Sequence, residues 1–359
     1  MKNLINKIEK LSPLIYDKNP PFGKVQVPIL LSANLSKDNP IPESTIIDYF
    51  KPITLDPFSS VLHYGQSIFE GLKAYRLKNG TYGIFRGDLH AARFVKSAKM
   101  MSMSNLSVEY VLESLKAFTE AANSYIPELE GHSLYLRPMM MGIDPIIKVK
   151  SSDTYKFMIM ASIVGNYFQT GSGAIKRSKV LVGPHFVRAF PGGTGEAKTA
   201  SNYAQSLFAL DQAMKLGYEQ VLYLDATTKT KFEELGGMNF FWVKNGALYT
   251  PKLNGQILHG VTRTSIIEIA KHLGIKVFEE DLYLKDLIQG TKDGSIEEAF
   301  ATGTAATVSP LGEIGVMNHE DNNITKCEFV SSAVGEKLKN FLESTHRGET
   351  EFSHKWLMQ

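Results

Sequence analysis

Gly192-Gly193-Thr194-Gly195-Glu196-Ala197-Lys198-Thr199-Ala200-Ser201-Asn202-Tyr203 is the stretch on which the reading of this chain turns. Nearly every neighbour of Lys198 is small, so a flat ligand can approach the backbone closely. A lysine withdrawn from bulk water becomes a usable amine nucleophile, which is what a Schiff-base enzyme needs. The plain alternative is a surface lysine in a glycine-rich loop, and for a lone lysine it is the commoner one. The same segment also nearly spells a phosphate-binding P-loop. Gly192, Lys198 and Thr199 have the spacing, and residues 221–225 resemble the apolar strand that ends in a magnesium-binding Asp. Ala197, however, stands where the second glycine belongs, and its Cβ obstructs a tight wrap around phosphates.

Other residues supply what a Schiff-base cofactor requires. Glu233 and Glu234 precede Gly236-Gly237 and an apolar strand, and a buried carboxylate there would keep a pyridine ring protonated. Alone, two solvated glutamates are the commoner case. Tyr203 follows Lys198 by five residues and its hydroxyl can reach a ring oxygen, although a core tyrosine has the same spacing. Gly260-Val261-Thr262-Arg263 opens a helix, whose exposed N–H groups form a natural anion site. The run Ala301-Thr302-Gly303-Thr304-Ala305-Ala306-Thr307 adds hydroxyls and N–H groups, and Arg93 can grip a phosphate with two bonds. Tyr135 and Arg137 lie two apart on a strand and so share a face suited to a carboxylate. A salt bridge at the rim is an equal account of Arg137. His63-Tyr64 and Phe69-Glu70-Gly71 add aromatic surface. The nine histidines show no ligand spacing, so no metal is expected.

Bulk properties exclude several classes. The 359 residues are 43% hydrophobic and 21% charged, ordinary for a globular protein, and 39 basic against 37 acidic residues argue for no nucleic-acid or membrane partner. A single cysteine, Cys327, allows no internal disulfide. The first twenty residues lack the apolar core of a secretory signal, so a cytoplasmic protein is expected.

Strand and helix patterns alternate, which predicts a mixed α/β fold. Strands are expected at 68–77 and 82–86 around an Asn79-Gly80 turn, and at 133–139, 157–164, 179–183, 220–224, 240–243 and 247–249. Helices are expected from Asp88 to about Lys99, through Val111, Leu115, Phe118 and Ala122, and at 203–216, 262–273 and 334–342. The small, polar residues 169–175 predict a linker between domains 1–168 and 176–359, the second carrying Lys198.

In order and separation, five segments resemble the branched-chain amino acid aminotransferases, fold type IV pyridoxal-phosphate enzymes. They are Phe69-Glu70-Gly71-Leu72-Lys73-Ala74-Tyr75, Tyr135-Leu136-Arg137-Pro138, residues 198–203, residues 234–239 and Gly303-Thr304-Ala305. The resemblance runs from about residue 50 to the end. It implies two α/β domains with pyridoxal 5'-phosphate in the cleft between them. It implies Lys198 as the Schiff-base lysine, Glu234 at the pyridine nitrogen and Tyr203 at the ring oxygen. Arg93, Val261, Thr262 and Thr304 are the implied phosphate cradle. Tyr64, Phe69, Tyr135, Arg137, Tyr167 and Ala305 are the implied substrate pocket, with Tyr64 given by the second subunit of a homodimer. The implied reaction is reversible transamination of leucine, isoleucine or valine with 2-oxoglutarate. Three departures stand out. Ala306 and Ser309 replace a Cys-x-x-Cys pair of some relatives, Gly237 stands for a frequent threonine, and Val25-Gln26-Val27-Pro28 replaces a Thr-Asp-His-Met type of segment. A D-amino acid aminotransferase, an aminodeoxychorismate lyase, a P-loop NTPase and a non-catalytic cofactor-binding protein remain alternatives.

Overall fold

The computed structural model describes residues 20–39, 41–42, 44–165, 177–318, 320–321 and 323–359. Tyr167 and the expected linker 169–175 lie outside them. The chain divides into two units: Met1–Tyr167 with Ala197–Ser201 and Glu343–Gln359, and Phe168–Glu196 with Asn202–Leu342. The residues around Lys198, expected in the C-terminal domain, thus group with the first unit. The cause is local pairing: Thr199 bridges Ile68 as an antiparallel partner, and Phe69 N–H donates to the Lys198 carbonyl at 3.0 Å.

The first unit is built on one antiparallel sheet. Among the described residues its order is Leu357–Met358, Tyr82–Phe85, Leu72–Arg76, Ser133–Gly142, Thr154–Val164, Ile29–Ser36 and Thr45–Tyr49, with Val25–Gln26 and Ser67–Phe69 as side pairings. The helices Gly87–Met100 and Val108–Ala121 cover it, and Phe94, Leu115, Phe118, Leu134, Leu136 and Phe157 fill one core with them. The helix period that places Val111, Leu115 and Phe118 on one face is what buries them together.

In the second unit six strands close edge to edge among the described residues: Phe232–Leu235, Gln220–Leu224, Ser178–Val182, Thr307–Met317, Ile296–Gly303 and Asn239–Lys244, which pairs back to the first. Phe240, Trp242, Leu222, Leu235 and Ile314 pack in its core, as side chains do in a small barrel. The helix Leu207–Lys215 covers a satellite core of Leu181, Ala213, Val221 and Tyr223.

Several expectations change in detail. The strand at 68–77 is two, Ser67–Phe69 and Leu72–Arg76, interrupted at Glu70-Gly71. Asp88 lies in the first turn of its helix and Arg86 occupies the cap, with no side-chain cap bond. The helix through Tyr203 is broken into Ala200–Ala204 and Leu207–Lys215. Beyond the expected helix at 334–342, the chain forms the helix Ser353–Trp356 and the strand Leu357–Met358, which pairs with Tyr82–Phe85. No helix among the described residues is long and apolar enough to cross a membrane.

Candidate active site

Lys198 is fixed by its backbone. Its N–H donates to Ser97 Oγ at 2.9 Å, its carbonyl receives Phe69 N–H, and Thr199 Oγ1 donates to the Ser67 carbonyl at 2.8 Å. The Lys198 N–H and the Thr199 hydroxyl, two groups that a P-loop would turn toward phosphate and magnesium, are spent on the protein, which counts against the nucleotide reading. The half-buried Lys198 side chain brings Nζ to 4.9 Å from the centre of the Phe69 ring.

The Arg137 guanidinium lies over the same ring, at 4.7 Å. Tyr135 and Arg137 share a face of Ser133–Gly142 as their spacing predicted, and Arg137 donates to the Tyr135 hydroxyl at 3.0 Å. Arg137 Nε is buried without a hydrogen-bond partner among the described residues. Phe22, which the sequence did not single out as a pocket residue, sets its ring edge on Tyr135 at 4.9 Å. Gly71 is required here, since a Cβ would overlap the Tyr135 hydroxyl. One cluster therefore joins an amine, a guanidinium and a phenol around an apolar ring.

Arg93 is buried, and its fork grips Glu70: Nε to Oε1 at 2.7 Å and a terminal nitrogen to Oε2 at 2.9 Å. His90 Nδ1 donates to Oε2 at 2.8 Å. Burial alone would raise the Glu70 pKa. The Arg93 charge and bonds from Arg93 and His90 overcome burial and hold it well below the usual carboxylate range. Burial pushes His90 down, against the pull of Glu70, so it is neutral at pH 7. The sequence singled out Arg93 for a phosphate; the structure shows its fork on Glu70, and Glu70 and His90 were not read as its partners. The signal available was the three-residue step from His90 to Arg93, which puts both on one helix face. Tyr64 ends the short helix Ser60–Tyr64 and is exposed.

In the second unit Glu234 is 3% exposed and fully engaged. Oε1 accepts Leu258 N–H at 2.8 Å and pairs with Arg188 at 2.9 Å, and Oε2 accepts the Asn239 amide at 2.9 Å. Asn239 also donates to the Leu258 carbonyl at 3.0 Å. Its neighbour Glu233 faces the other side of the strand with one bond from Asn254 at 3.3 Å, and burial pushes its pKa up to about 7. Tyr203 is half-buried, and a Cβ at Gly237 would stand 3.8 Å from its ring, an ordinary contact. The helix Val261–His272 starts at an extended Gly260 with no side-chain cap, and Val261 and Thr262 are buried. Thr304 and Ala305 form the half-buried turn between Ile296–Gly303 and Thr307–Met317, and Thr302 Oγ1 is buried without a partner among the described residues. A buried carboxylate, uncapped helical N–H groups and an unsatisfied hydroxyl fit a group that carries a ring cation and a phosphate.

A sheet with an anchored lysine and a six-strand closed sheet with a held carboxylate define an aminotransferase of one particular class. The family model described as amino-transferase class IV matches residues 67–314, and the chain belongs to that family. Among its relatives is branched-chain-amino-acid aminotransferase 2 of Bacillus subtilis, 40% identical over 335 residues, which span 93% of this chain and 90% of that protein. The fold also matches the branched-chain aminotransferase from Thermoproteus uzoniensis with norvaline: TM-score 0.70, 25% identity, 91% of this chain and 99% of that one. The branched-chain amino acid aminotransferase from Thermobaculum terrenum, solved in its PLP holo-form, shares the fold at TM-score 0.70 and 20% identity over 95% of this chain and 99% of that one.

Proposed function

We infer that the protein is a pyridoxal-phosphate-dependent branched-chain amino acid aminotransferase, passing the amino group of leucine, isoleucine or valine to 2-oxoglutarate. The observation that carries this is the Phe69 ring flanked by the Lys198 amine and the Arg137 guanidinium. A nucleophilic amine and a carboxylate receptor then face one apolar surface. When bound, pyridoxal phosphate supplies the aldehyde that takes the amino group and a ring that accepts an electron pair.

The chain's own residues do the rest. Lys198 holds the cofactor, and its released Nζ removes the α-proton and returns it, as base and then acid. Glu234 would hold the pyridine nitrogen and Tyr203 the ring oxygen. Arg93, and separately the Val261 and Thr262 N–H groups and Thr304, are the proposed contributors to a phosphate site. Phe69 offers an apolar wall to branched side chains, while Arg137 and Tyr135 take the second carboxylate of glutamate. Ala305 and a Tyr64 from a second copy would complete the pocket. The exposure of Phe50, Ile53, Phe58, Leu62 and Tyr64 on the first unit supports a homodimer, which sedimentation would test.

The direct test is the absorbance spectrum of the purified protein before and after L-leucine. A band at about 410–430 nm that moves to about 330 nm is the expected result for a lysine-held pyridoxal that gains an amino group. A band that leucine leaves unchanged, while D-alanine or aminodeoxychorismate shifts it, would reassign the substrate. No band after adding pyridoxal phosphate would overturn the reading.

A further inference from the structure

We propose that Arg188 is a positioning residue for the reaction: its pairing with the buried Glu234 carboxylate keeps that carboxylate anionic, so that the proton it shares with the cofactor's pyridine nitrogen stays on the ring. The proposal rests on the reading above that Glu234 faces that nitrogen.

Arg188 is 4% exposed and lies 2.9 Å from Glu234 Oε1. It is itself held rigidly. The same terminal nitrogen that meets Glu234 donates to the carbonyls of Gly195, at 3.2 Å, and Gln256, and the Arg188 carbonyl receives the Gln205 amide. A guanidinium fixed this way cannot leave Glu234 for solvent. Asn239 and Leu258 N–H supply further donors, and each of these bonds favours the Glu234 anion.

Glu233 is an internal comparison. It is on the same strand and as deeply buried, yet its one bond comes from a neutral amide, and its carboxyl is pushed up to about 7 by burial. A carboxyl with that proton affinity competes with a pyridine nitrogen for the shared proton. If the proton moves to the carboxyl, the ring is neutral and accepts electrons poorly. The Arg188 charge also acts on Glu233, but it is Glu234 that meets the guanidinium at 2.9 Å, and that contact, with the bonds from Asn239 and Leu258, separates the two neighbouring carboxylates.

The test is nitrogen NMR of the holoenzyme reconstituted with ring-15N pyridoxal phosphate, for wild type, Arg188→Met and Arg188→Lys. The wild-type shift is expected to stay at the pyridinium position from about pH 6 to about pH 9. In Arg188→Met it moves to the neutral-pyridine position within that range. There kcat falls roughly 100-fold while KM changes less than about threefold, as for an interaction used in the transition state. Arg188→Lys, which keeps a charge, retains the pyridinium. A wild-type ring that loses its proton in this range, or a pyridinium unchanged in Arg188→Met, overturns the proposal. If Arg188→Met does not fold, wild type and Arg188→Lys decide: a proton kept in both supports the proposal, and one lost in either overturns it. Failure of the wild type to bind the labelled cofactor would instead sink the functional reading.

Discussion

Gly260 and Asn239 touch so closely that a methyl group on Gly260 would overlap the Asn239 amide oxygen. Asn239 cannot turn aside, because its nitrogen is committed to Glu234 and to the Leu258 carbonyl. The start of the helix Val261–His272 and the Glu234 carboxylate are thus locked in one rigid piece. Gly260→Ala should therefore cost about 1–3 kcal/mol of stability through overpacking. Its affinity for pyridoxal phosphate should fall by roughly tenfold or more, since a site 1 Å out of place loses its geometry. Thermal unfolding of the apo-protein and a cofactor titration measure the two effects. Unchanged values for both would show that Asn239 has room to move and is no link.

Glu70 holds Arg93 with two bonds and His90 with one, all buried. Glu70→Gln leaves the guanidinium without its anion, and removing one partner of a buried pair costs about 3–5 kcal/mol. The Glu70 pKa is depressed in the fold, so its contribution is present above the ordinary 4.5 and drains away as pH falls below it. Wild type and variant should converge in acid and diverge at neutrality. Denaturant titrations at the two pH values would show it, and a constant gap would mean that the charge is not the cause.

Lys198→Ala should leave the fold intact, because the anchors at this position are the backbone N–H to Ser97 and the carbonyl to Phe69. Turnover should drop by roughly 1,000-fold or more, as for loss of a residue that acts as nucleophile and base. Near-normal activity in a folded variant would end the mechanism.

How much of this was legible in the sequence differs from part to part. Periodicity found Val108–Ala121 and Gln220–Leu224 because one face of each is buried and the pattern records it. It missed Ile29–Ser36, although the alternation of Leu, Ser and Asn there is typical of a strand. The Lys198 segment reads as part of the second unit because its neighbours in sequence are there, whereas its hydrogen bonds go to Ser67, Phe69 and Ser97 in the first. No local pattern encodes a pairing between residues 68 and 199. The same holds for Arg188, which reads as one more arginine until the fold carries it to Glu234. Lys198, Tyr135 and Arg137 can be singled out from their own chemistry, whereas residues that act by holding another cannot.

Glu233 should be a liability to stability at neutral pH. Its acid is raised from 4.5 to about 7 by burial, so the folded state binds a proton that the unfolded state gives up in that interval. Stability from this group falls as pH rises from 4.5 to 7. Glu233→Gln keeps a hydrogen-bond acceptor for Asn254 and removes the buried charge. It should match wild type near pH 4.5 and exceed it above pH 7 by roughly 2 kcal/mol. A variant less stable than wild type at pH 8 would show that the carboxylate is paired after all.

Lys73 is another buried charge that the proposed chemistry does not use. It lies on Leu72–Arg76 beside Tyr75, whose ring stacks on His346 at 4.3 Å, and burial lowers its pKa from 10.5 to about 8 against the pull of Glu343. Below pH 8 both folded and unfolded chains carry the proton and the folded one bears the cost of burying it. Between 8 and 10.5 the unfolded chain holds a proton that the folded chain has released, so this group adds stability as pH rises. Lys73→Met removes the charge and keeps the bulk, and the half-buried Glu343 is left in reach of water. The variant should be more stable than wild type at pH 7 by roughly 2 kcal/mol, and the gap should close toward pH 10.5. Denaturant unfolding of both proteins across that range reads the gap directly, and a gap independent of pH would mean that packing at residue 73, and not its charge, sets the difference.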